Sequence, residues 1–315
     1  MKDKIDPNNT YCPYLWTDIF IDQDSSVYSC CHYNPTVLGN LYTEKLENIC
    51  NNSIIKRFRK ESLEGRLKCH KCCTLLNKKE SEITPRPKTL IIRYRDLKHL
   101  KILFGESCNL NCIMCWQDSK SRQSLDFKRL IKNLDISPFE NIYIQGGEPL
   151  FIKSAKLFFD YATSCKKRAS FLTNGTLIND EWAQKISRYS ESICFSLNAA
   201  TKVTHELVNC GSNWERVIRN INHIRETRSR FQTDVKIKGH MTIVKENLNE
   251  IHLFIKLFEA FGLDEIDFGF DWRVHGYLRI HNQAKRDLKL KIKEALAQCD
   301  TRLVKTHRLK LLELI

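Results

Sequence analysis

Short β-rich runs alternate with helical patterns along most of the chain, from residue 99 onward. Between the runs, the apolar residues of Trp214–Arg228 lie three and four positions apart, which is typical of an amphipathic helix. This alternation predicts an α/β fold with a parallel sheet and right-handed crossovers. Functional side chains in parallel barrels gather where the strands end. The runs are Leu100–Phe104, Ile142–Gln145, Ala169–Thr173, Ile193–Leu197, Val235–Val244 and Ile266–Phe270.

A cysteine-rich loop follows the first of these runs. Gly105 ends the run, and Cys108, Cys112 and Cys115 follow with gaps of three and two residues. Three thiolates so close in sequence can each bind one iron of an iron–sulfur cluster and leave the fourth iron open. A structural zinc site with a fourth ligand from elsewhere is the alternative, although zinc loops usually end with a second Cys or His pair.

The spacing Cys108-x3-Cys112-x2-Cys115 resembles the signature of the radical S-adenosylmethionine (SAM) enzymes. The resemblance implies a partial (β/α)6 TIM-like barrel and a [4Fe-4S] cluster whose open iron binds SAM. In that family, reductive cleavage of SAM yields a 5′-deoxyadenosyl radical, which abstracts hydrogen from a substrate. The three cysteines would then be the catalytic cluster ligands. Met114 stands where the family often has an aromatic residue that stacks on adenine, and its thioether can still contact the ring.

The stretch Gly146-Gly147-Glu148-Pro149 follows the second run. Two glycines let backbone groups approach a ligand closely, and the carboxylate can accept hydrogen bonds from an ammonium group. Alone, this stretch is equally a tight turn before a helix. It matches the family motif that binds the amino group of SAM, so the resemblance assigns Gly146, Gly147, Glu148 and Pro149 to SAM binding.

The next two runs end in Thr173-Asn174 and in Ser196-Leu197-Asn198. Their hydroxyl and amide groups can hydrogen-bond ribose or carboxylate oxygens, although helix capping explains each one equally well in isolation. Together with the cysteine loop they favour a SAM site that includes Thr173, Asn174, Ser196 and Asn198. A basic residue that the family commonly has after the fourth strand is replaced near 208–211, which leaves the partner of the SAM carboxylate unassigned.

Seven of the fourteen cysteines lie between Cys12 and Cys73. Leu15–Ile21 and Val27–Cys31 predict a hairpin, and Glu44–Leu63 predicts a helix that Gly65 ends, with Cys50 in its apolar stripe. This cysteine-rich hairpin and helix resemble the twitch or SPASM accessory module of radical SAM enzymes, although the family usually places it after the barrel. The resemblance implies an auxiliary iron–sulfur cluster; zinc fits the same ligands, and Cys31 and Cys73 duplicate two of them. The predicted ligands are Cys12, Cys30, Cys69 and Cys72.

These features divide the chain into four predicted segments. Residues 1–75 form the accessory module, 76–98 a basic linker, 99–300 the barrel and 301–315 an extension of unknown structure. Charged and polar residues of the last two strands are candidate substrate contacts, and Cys210 is a candidate reactive thiol in a loop. The strand residues are Lys236, Lys238, His240, Asp267, Asp271, Trp272 and Arg273.

The sequence contains no apolar run of about 18 residues and no apolar segment near residue 1, which predicts a cytoplasmic protein without membrane association. Radical SAM relatives with such modules often modify peptides, so a ribosomal peptide is the first expected substrate and a sugar or nucleotide precursor the second. A flavodoxin- or ferredoxin-like reductant is the expected partner. The net charge of +14 leaves a zinc-ribbon nucleic-acid-binding protein as the non-enzymatic alternative, but nucleic acid is not the expected partner, because the charge is spread along the chain.

Overall fold

The computed structural model describes residues 11–30, 36–68 and 87–315. Cys12 and Cys30 lie within these ranges. The other two predicted auxiliary ligands, Cys69 and Cys72, lie outside them, as do Cys31 and Cys73.

The chain forms two compact units. The first comprises Met1–Gly105, Arg122–Gly146 and Ile152–Ala169, and the second comprises Glu106–Ser121, Gly147–Phe151 and Ser170–Ile315. These units group residues by spatial proximity and cut the chain at other places than the predicted four-segment division, which stays a prediction.

The first unit contains five strands in the order β5-β4-β1-β2-β3. Strands β4 and β5 are parallel, with Leu100 opposite Ile142. Strand β1 is parallel to the other edge of β4 and forms the predicted antiparallel hairpin with β2, with Phe20 opposite Tyr28. The accessory segment therefore extends the catalytic strands of this unit. The strands are β1 Asp18–Ile21, β2 Ser26–Tyr28, β3 Gly39–Asn40, β4 His99–Leu103 and β5 Asn141–Gln145.

The predicted helix Glu44–Leu63 is wrong as a single element, because the chain breaks it into two. The side chain of Asn52 accepts hydrogen bonds from the backbone N–H groups of Ile54 and Ile55 at 3.0 and 3.1 Å and so starts a new helix. Gly65 ends that helix with φ of 66°, as predicted. The helices of this unit are α1 Leu46–Ile49, α2 Ser53–Leu63, α3 Phe127–Asn133 and α4 Lys153–Ser164, with 3₁₀ turns at Pro13–Trp16 and Tyr94–Asp96.

Arg59 on α2 is buried in the core of the first unit. Its guanidinium donates hydrogen bonds to the carbonyl oxygens of Leu15 and Leu90 at 3.0 and 2.9 Å, and a longer one to the side chain of Asn51. Burial lowers its pKa to about 10. The side chain therefore connects three segments that are distant in sequence. Cys50, next to it, is buried core as predicted.

The second unit contains strands in the order β6-β7-β8-β9-β10. The pairs β7–β8, β8–β9 and β9–β10 are all parallel. Along β8, buried Ile237, Gly239, Met241 and Ile243 alternate with accessible residues, so one face of the strand packs in the core. The strands are β6 Ala169–Thr173, β7 Ser190–Ser196, β8 Lys236–Ile243, β9 Glu265–Phe270 and β10 Val304–Lys305.

Helices connect these strands, and Asn179 caps the first of them. The helices are α5 Asp180–Tyr189, α6 Lys202–Val208, α7 Trp214–Phe231, α8 Ile251–Leu257, α9 Trp272–Ile280, α10 Asn282–Ala297 and α11 His307–Leu311, with 3₁₀ turns at Leu248–Glu250 and Thr301–Leu303. All six predicted strands are present, which confirms the α/β class and supplies the units of the predicted partial barrel. Within the described ranges, no helix is long and apolar enough to span a membrane.

Candidate iron–sulfur and SAM site

The cysteine loop leaves β4 and belongs to the second unit. Cys108 and Cys112 are half-buried and Cys115 is exposed. Burial, together with the neighbouring thiols of Cys108, Cys115 and Cys210, raises the pKa of Cys112 to about 12. The three predicted ligands therefore lie close together, as a cluster requires. A metal must displace protons from them, since the thiolate is the ligand.

Backbone hydrogen bonds fix this loop against the segment after α6. Asn111 N–H donates to the carbonyl of Cys210 and Ile113 N–H donates to that of Val208, each at 3.0 Å. Cys210, predicted only as a reactive thiol, thus lies beside the cluster loop. Sequence spacing could not show this proximity, because it depends on the tertiary fold.

Within the described residues, no group of three His, Cys, Asp or Glu side chains is arranged to hold a single metal ion. The thiolates of a [4Fe-4S] cluster bind separate irons, so its ligands need not converge on one point.

Gly147 allows the Gly146–Pro149 turn to pack on the cysteine loop. A Cβ at this position would lie 2.0 Å from the carbonyl oxygen of Glu106 and 2.3 Å from that of Ser107. In addition, Glu148 N–H donates to the Ser107 carbonyl at 2.9 Å. The sequence predicted glycine for close approach to a ligand, whereas the contact observed here is between two backbones. Pro149 is buried behind this turn.

Glu148 is completely buried. Its carboxylate accepts hydrogen bonds from Thr173 Oγ1 and Asn174 N at 2.7 Å and from Leu150 N at 3.1 Å. Burial nevertheless raises its pKa to about 7. In the part of the chain that the structure describes, no Lys, Arg or His forms an ion pair with it. A carboxylate of this kind is suited to receive a cation from a ligand, and the ammonium group of SAM fits that requirement.

The end of β6 connects this carboxylate to the cysteine loop. The Thr173 hydroxyl donates to the carboxylate of Glu148. Asn174 Nδ2 donates to Asn109 Oδ1 at 2.9 Å and lies 3.7 Å from Cys108 Sγ. Asn109 in turn donates to Thr176 Oγ1 at 2.8 Å. Asn109 was not among the predicted site residues, although it lies directly beside the first cysteine.

At the end of β7, Ser196 is accessible in part and Asn198 is buried with φ of 57°. Asn198 accepts a hydrogen bond from Thr242 N and donates one to Asn209 Oδ1, both at 2.8 Å. These bonds position the strand end, and a direct role of Asn198 in SAM binding stays a prediction. Met114 is half-buried in the cysteine loop.

Two further residues hold the segment after β7, and sequence reasoning missed both. Asn209 is buried, and His205 is buried beside it. His205 Nδ1 lies 2.6 Å from the Leu197 carbonyl, and Nε2 lies 2.8 Å from Ser212 Oγ. Burial lowers the pKa of His205, so the ring is neutral and donates through Nδ1. No local motif marks such a network.

Cys12 and Cys30 lie at the same end of the β1–β2 hairpin in the first unit. The antiparallel register places Cys30 level with Asp18, where β1 starts, and Cys12 precedes that strand. Cys12 N–H donates to Ser62 Oγ at 2.7 Å, close to the end of α2. Cys69 and Cys72 follow this helix in the sequence and lie outside the described residues. This geometry is compatible with the predicted shared site.

Two family models match the chain. The model of the radical SAM superfamily matches residues 102–258, which include the cysteine loop, Glu148 and the ends of β6 and β7. The model of an iron–sulfur cluster-binding domain, SPASM, matches residues 12–73, from the first to the last cysteine of the N-terminal group. These domains imply a SAM-binding [4Fe-4S] cluster, SAM, and a second iron–sulfur cluster as the cofactors.

The chain is similar to curated proteins over part of their length. It is 25% identical to the S-adenosylmethionine-dependent nucleotide dehydratase RSAD2 of Siniperca chuatsi, over 43% of this chain and 41% of that protein. It is 26% identical to the mycofactocin maturase MftC of Mycolicibacterium smegmatis, over 50% of this chain and 40% of that protein. The chain thus spans about two fifths of the length of these relatives.

Among solved structures, SuiB of Streptococcus suis bound to its precursor peptide SuiA matches with a TM-score of 0.46 and 15% identity, covering 90% of this chain and 69% of that one. The two domain matches point to the same family as the three neighbouring thiols and the buried carboxylate of Glu148. The chain belongs to the radical SAM superfamily and carries a SPASM domain.

Proposed function

We propose that this enzyme modifies a peptide substrate by radical chemistry at the cysteine loop. The observation that carries the proposal is the fully buried carboxylate of Glu148, which follows β5, the strand next to the one that the cysteine loop follows. The carboxylate accepts hydrogen bonds from Thr173 and Asn174, but no described Lys, Arg or His forms an ion pair with it. Bound there, the cluster and SAM would supply a 5′-deoxyadenosyl radical able to abstract hydrogen from a substrate carbon.

Each residue of the site has a role in this proposal. Cys108, Cys112 and Cys115 hold the cluster, and Glu148 accepts hydrogen bonds from the amino group of SAM. Thr173 and Asn174 favour the ionised form of that carboxylate by donating to it. Gly147 lets the turn and the cysteine loop lie against each other without a side chain between them.

The auxiliary cluster is proposed at Cys12, Cys30, Cys69 and Cys72. The SPASM match from residue 12 to residue 73 supports an iron–sulfur site in this segment. The positions of Cys12 and Cys30 at one hairpin end support their part in it.

A peptide is the favoured substrate for two reasons. Radical SAM enzymes with accessory modules of this kind often act on peptides, and one relative of this chain is a maturase. The net charge of +14 suits an acidic peptide to a modest degree. A nucleotide is the second candidate, because the chain is about as similar to a nucleotide dehydratase.

A flavodoxin- or ferredoxin-like protein is the proposed reductant, since the cluster needs single electrons. The cytoplasmic location stays a prediction.

The proposal is tested with anaerobically reconstituted protein, SAM and dithionite. We expect two clusters per chain and formation of 5′-deoxyadenosine, and we expect Cys108→Ala, Cys112→Ala or Cys115→Ala to abolish that product. Cys165→Ala is the matched control, because this exposed cysteine directly follows α4. Persistent SAM cleavage in the three loop variants would overturn the assignment.

Cys12→Ala and Cys30→Ala test the second cluster separately. We expect about half of the iron to be lost, with a smaller effect on SAM cleavage than the loop variants have. Zinc in place of iron at this segment would contradict the auxiliary-cluster assignment. Substrate class is then decided by which compound, a peptide encoded beside the gene or a nucleotide, raises 5′-deoxyadenosine formation above the substrate-free rate.

A further inference from the structure

A row of polar side chains crosses the accessible face of the second unit's sheet. Ser196 on β7 lies opposite His240 on β8, and His240 lies opposite Asp267 on β9. Neighbouring strands are about 4.8 Å apart, and residues in register point to the same face. All three are accessible in part. His240 and Asp267 therefore lie on the same face as Ser196, a predicted SAM-site residue, but are not themselves among the predicted SAM-binding residues.

His240 and Asp267 are joined directly. Nδ1 of His240 hydrogen-bonds Oδ1 of Asp267. Burial would raise the pKa of the Asp267 carboxyl, but the charges of His240, Lys238 and Arg308 hold it below its ordinary value. An ionised carboxylate can only accept, so Nδ1 carries a proton, and in the Nδ1–H tautomer of the neutral ring Nε2 carries the lone pair. Nε2 lies 3.2 Å from Thr242 Oγ1, which can donate to it.

Gly269 on β9 provides the space for this ring. A Cβ at position 269 would lie 3.0 Å from Nε2 and 3.2 Å from Cε1 of His240. Glycine is needed at position 269 because the ring of His240 lies so close to its backbone, and not because of a positive φ angle, which Gly269 does not have. Any side chain here would press on the nitrogen that carries the lone pair.

The surroundings of the pair are neutralised on one side and apolar on the other. Lys238 and Glu265, one row below, form an ion pair at 2.8 Å. Toward the end of β9, the rings of Phe270 and Trp272 meet with their centroids 5.1 Å apart, and Trp272 is half exposed. The charges beside the pair are therefore balanced, and two aromatic rings lie at the end of β9.

We propose that His240 accepts a proton from the substrate and that Asp267 is its positioning residue. The inference rests on the proposed function, because it adds a group to the same site. In the step, an O–H, S–H or N–H bond of the substrate breaks and an Nε2–H bond forms. The electron pair stays on the heteroatom, and Asp267 balances the charge of the imidazolium. The modified group is accordingly a carbon beside a hydroxyl, thiol or amide, rather than an isolated hydrocarbon position.

The test uses the full reconstituted enzyme and the peptide that raises wild-type 5′-deoxyadenosine formation above the substrate-free rate. We expect His240→Gln to lower the amount of modified peptide per 5′-deoxyadenosine at least tenfold. His223→Gln is the matched control, because His223 pairs with Asp180 at 3.1 Å on the protein surface. An unchanged ratio in His240→Gln would overturn the inference.

Two variants separate proton transfer from a structural role. His240→Gly should recover modified peptide when imidazole is added, because Gly269 and the missing side chain leave room for it. Asp267→Asn should lower kcat with little change in KM, and Asp267→Glu should recover part of the loss. Failure of imidazole to restore any product, together with a loss confined to KM, would assign the pair to substrate binding instead.

A spectroscopic readout is independent of turnover. In cluster-free protein labelled with ¹⁵N-histidine, we expect His240 to show the Nδ1–H tautomer, and Asp267→Asn to lose that preference. An Nε2–H tautomer in the wild type would overturn the inference. A wild type that binds no cluster and cleaves no SAM would instead refute the proposed function, and the tautomer would still decide the arrangement of the pair.

Discussion

At the scale of single residues, Glu148 combines two opposing effects. Three hydrogen-bond donors favour its ionised form, while complete burial opposes it, and burial prevails because its pKa rises to about 7. A raised carboxyl pKa of this kind is expected in a site that binds a cationic ligand. The positive charge of the ligand would then compensate the free-energy cost of the buried carboxylate.

Glu148→Gln should therefore change stability in a pH-dependent way. With a folded-state pKa near 7 and an ordinary value of 4.5, the carboxyl contributes fully below pH 4.5 and loses that contribution as pH rises through 7. Relative to Glu148→Gln, the cluster-free wild type should lose on the order of 3 kcal/mol of unfolding free energy between pH 5 and 8. Urea titrations across this range measure the difference. Glu140→Gln, at an exposed ion pair with Lys98, is the matched control, and a flat profile for Glu148→Gln would contradict the argument.

Gly147→Ala should damage the site by backbone displacement. Its Cβ would lie 2.0 Å from the Glu106 carbonyl oxygen, so the turn or the cysteine loop must move. We expect reduced iron retention and at least tenfold slower SAM cleavage. Gly276→Ala is the matched control, since nothing lies within 4 Å of its Cβ on α9, and alanine should stabilise that helix by up to about 1 kcal/mol. Equal activity of the two variants would show that the turn and the cysteine loop can move apart at position 147 without loss of SAM cleavage.

Local motifs predicted the cysteine loop, Glu148 and the strand ends, because each is a short pattern whose chemistry is readable in sequence order. They did not predict Asn209 or His205, nor that Cys210 lies beside the cysteine loop, since these contacts arise only through the packing of the segment after β7. Asn174 was predicted as a SAM contact, and its observed bonds to Asn109 and Glu148 show how it is held.

At the scale of elements, the helical pattern of residues 44–63 concealed a break. The apolar stripe runs through Cys50 and continues in α2, so periodicity alone joins the two helices. Asn52 separates them by capping α2, and its Nδ2 also donates to the Leu38 carbonyl at 2.6 Å. A side chain that bonds its own backbone competes with helix continuation. Strand positions, in contrast, agreed with prediction to within three residues at either end.

Arg59→Met should destabilise the first unit. Loss of the guanidinium leaves the buried carbonyl of Leu15 and the partly buried carbonyl of Leu90 without their donor, although it also removes the cost of burying a cation. We expect a net loss of about 2–4 kcal/mol in unfolding free energy, measured by urea denaturation. Arg57→Met, on the exposed side of the same helix, should stay within about 0.5 kcal/mol. A neutral Arg59→Met would mean that desolvation cancels the hydrogen bonds.

At the scale of the whole molecule, the alternation of strands and helices predicted the α/β class, since it fixes which connections can be made. The order of the sheet edges was not predictable, because nothing in the N-terminal cysteine pattern indicates that β1 pairs with β4. The C-terminal extension likewise supplied β10 beside β9.

Cluster loading should stabilise the molecule through its ligands. Reconstitution with iron and sulfide should raise the Tm of the wild type, and the rise should be smaller in Cys12→Ser, because one ligand of the auxiliary site is removed. Differential scanning calorimetry under argon measures both. Cys299→Ser, at a half-buried cysteine after α10, serves as the control. An identical rise in Cys12→Ser would exclude Cys12 as a ligand.

The pairing of β1 with β4 and of β10 with β9 has a consequence for recruitment of a peptide. An extended peptide can bind by adding a strand to a free sheet edge. In the described part of the chain, the outer edges of β4 and β9 are already occupied, and the terminal strands β3 and β10 have two residues each. An added peptide strand therefore cannot pair with the outer edge of β4 or of β9. On the proposed function, we therefore expect a peptide to be recognised by its side chains at the strand ends, so that selectivity depends on the residue to be modified more than on an extended leader sequence.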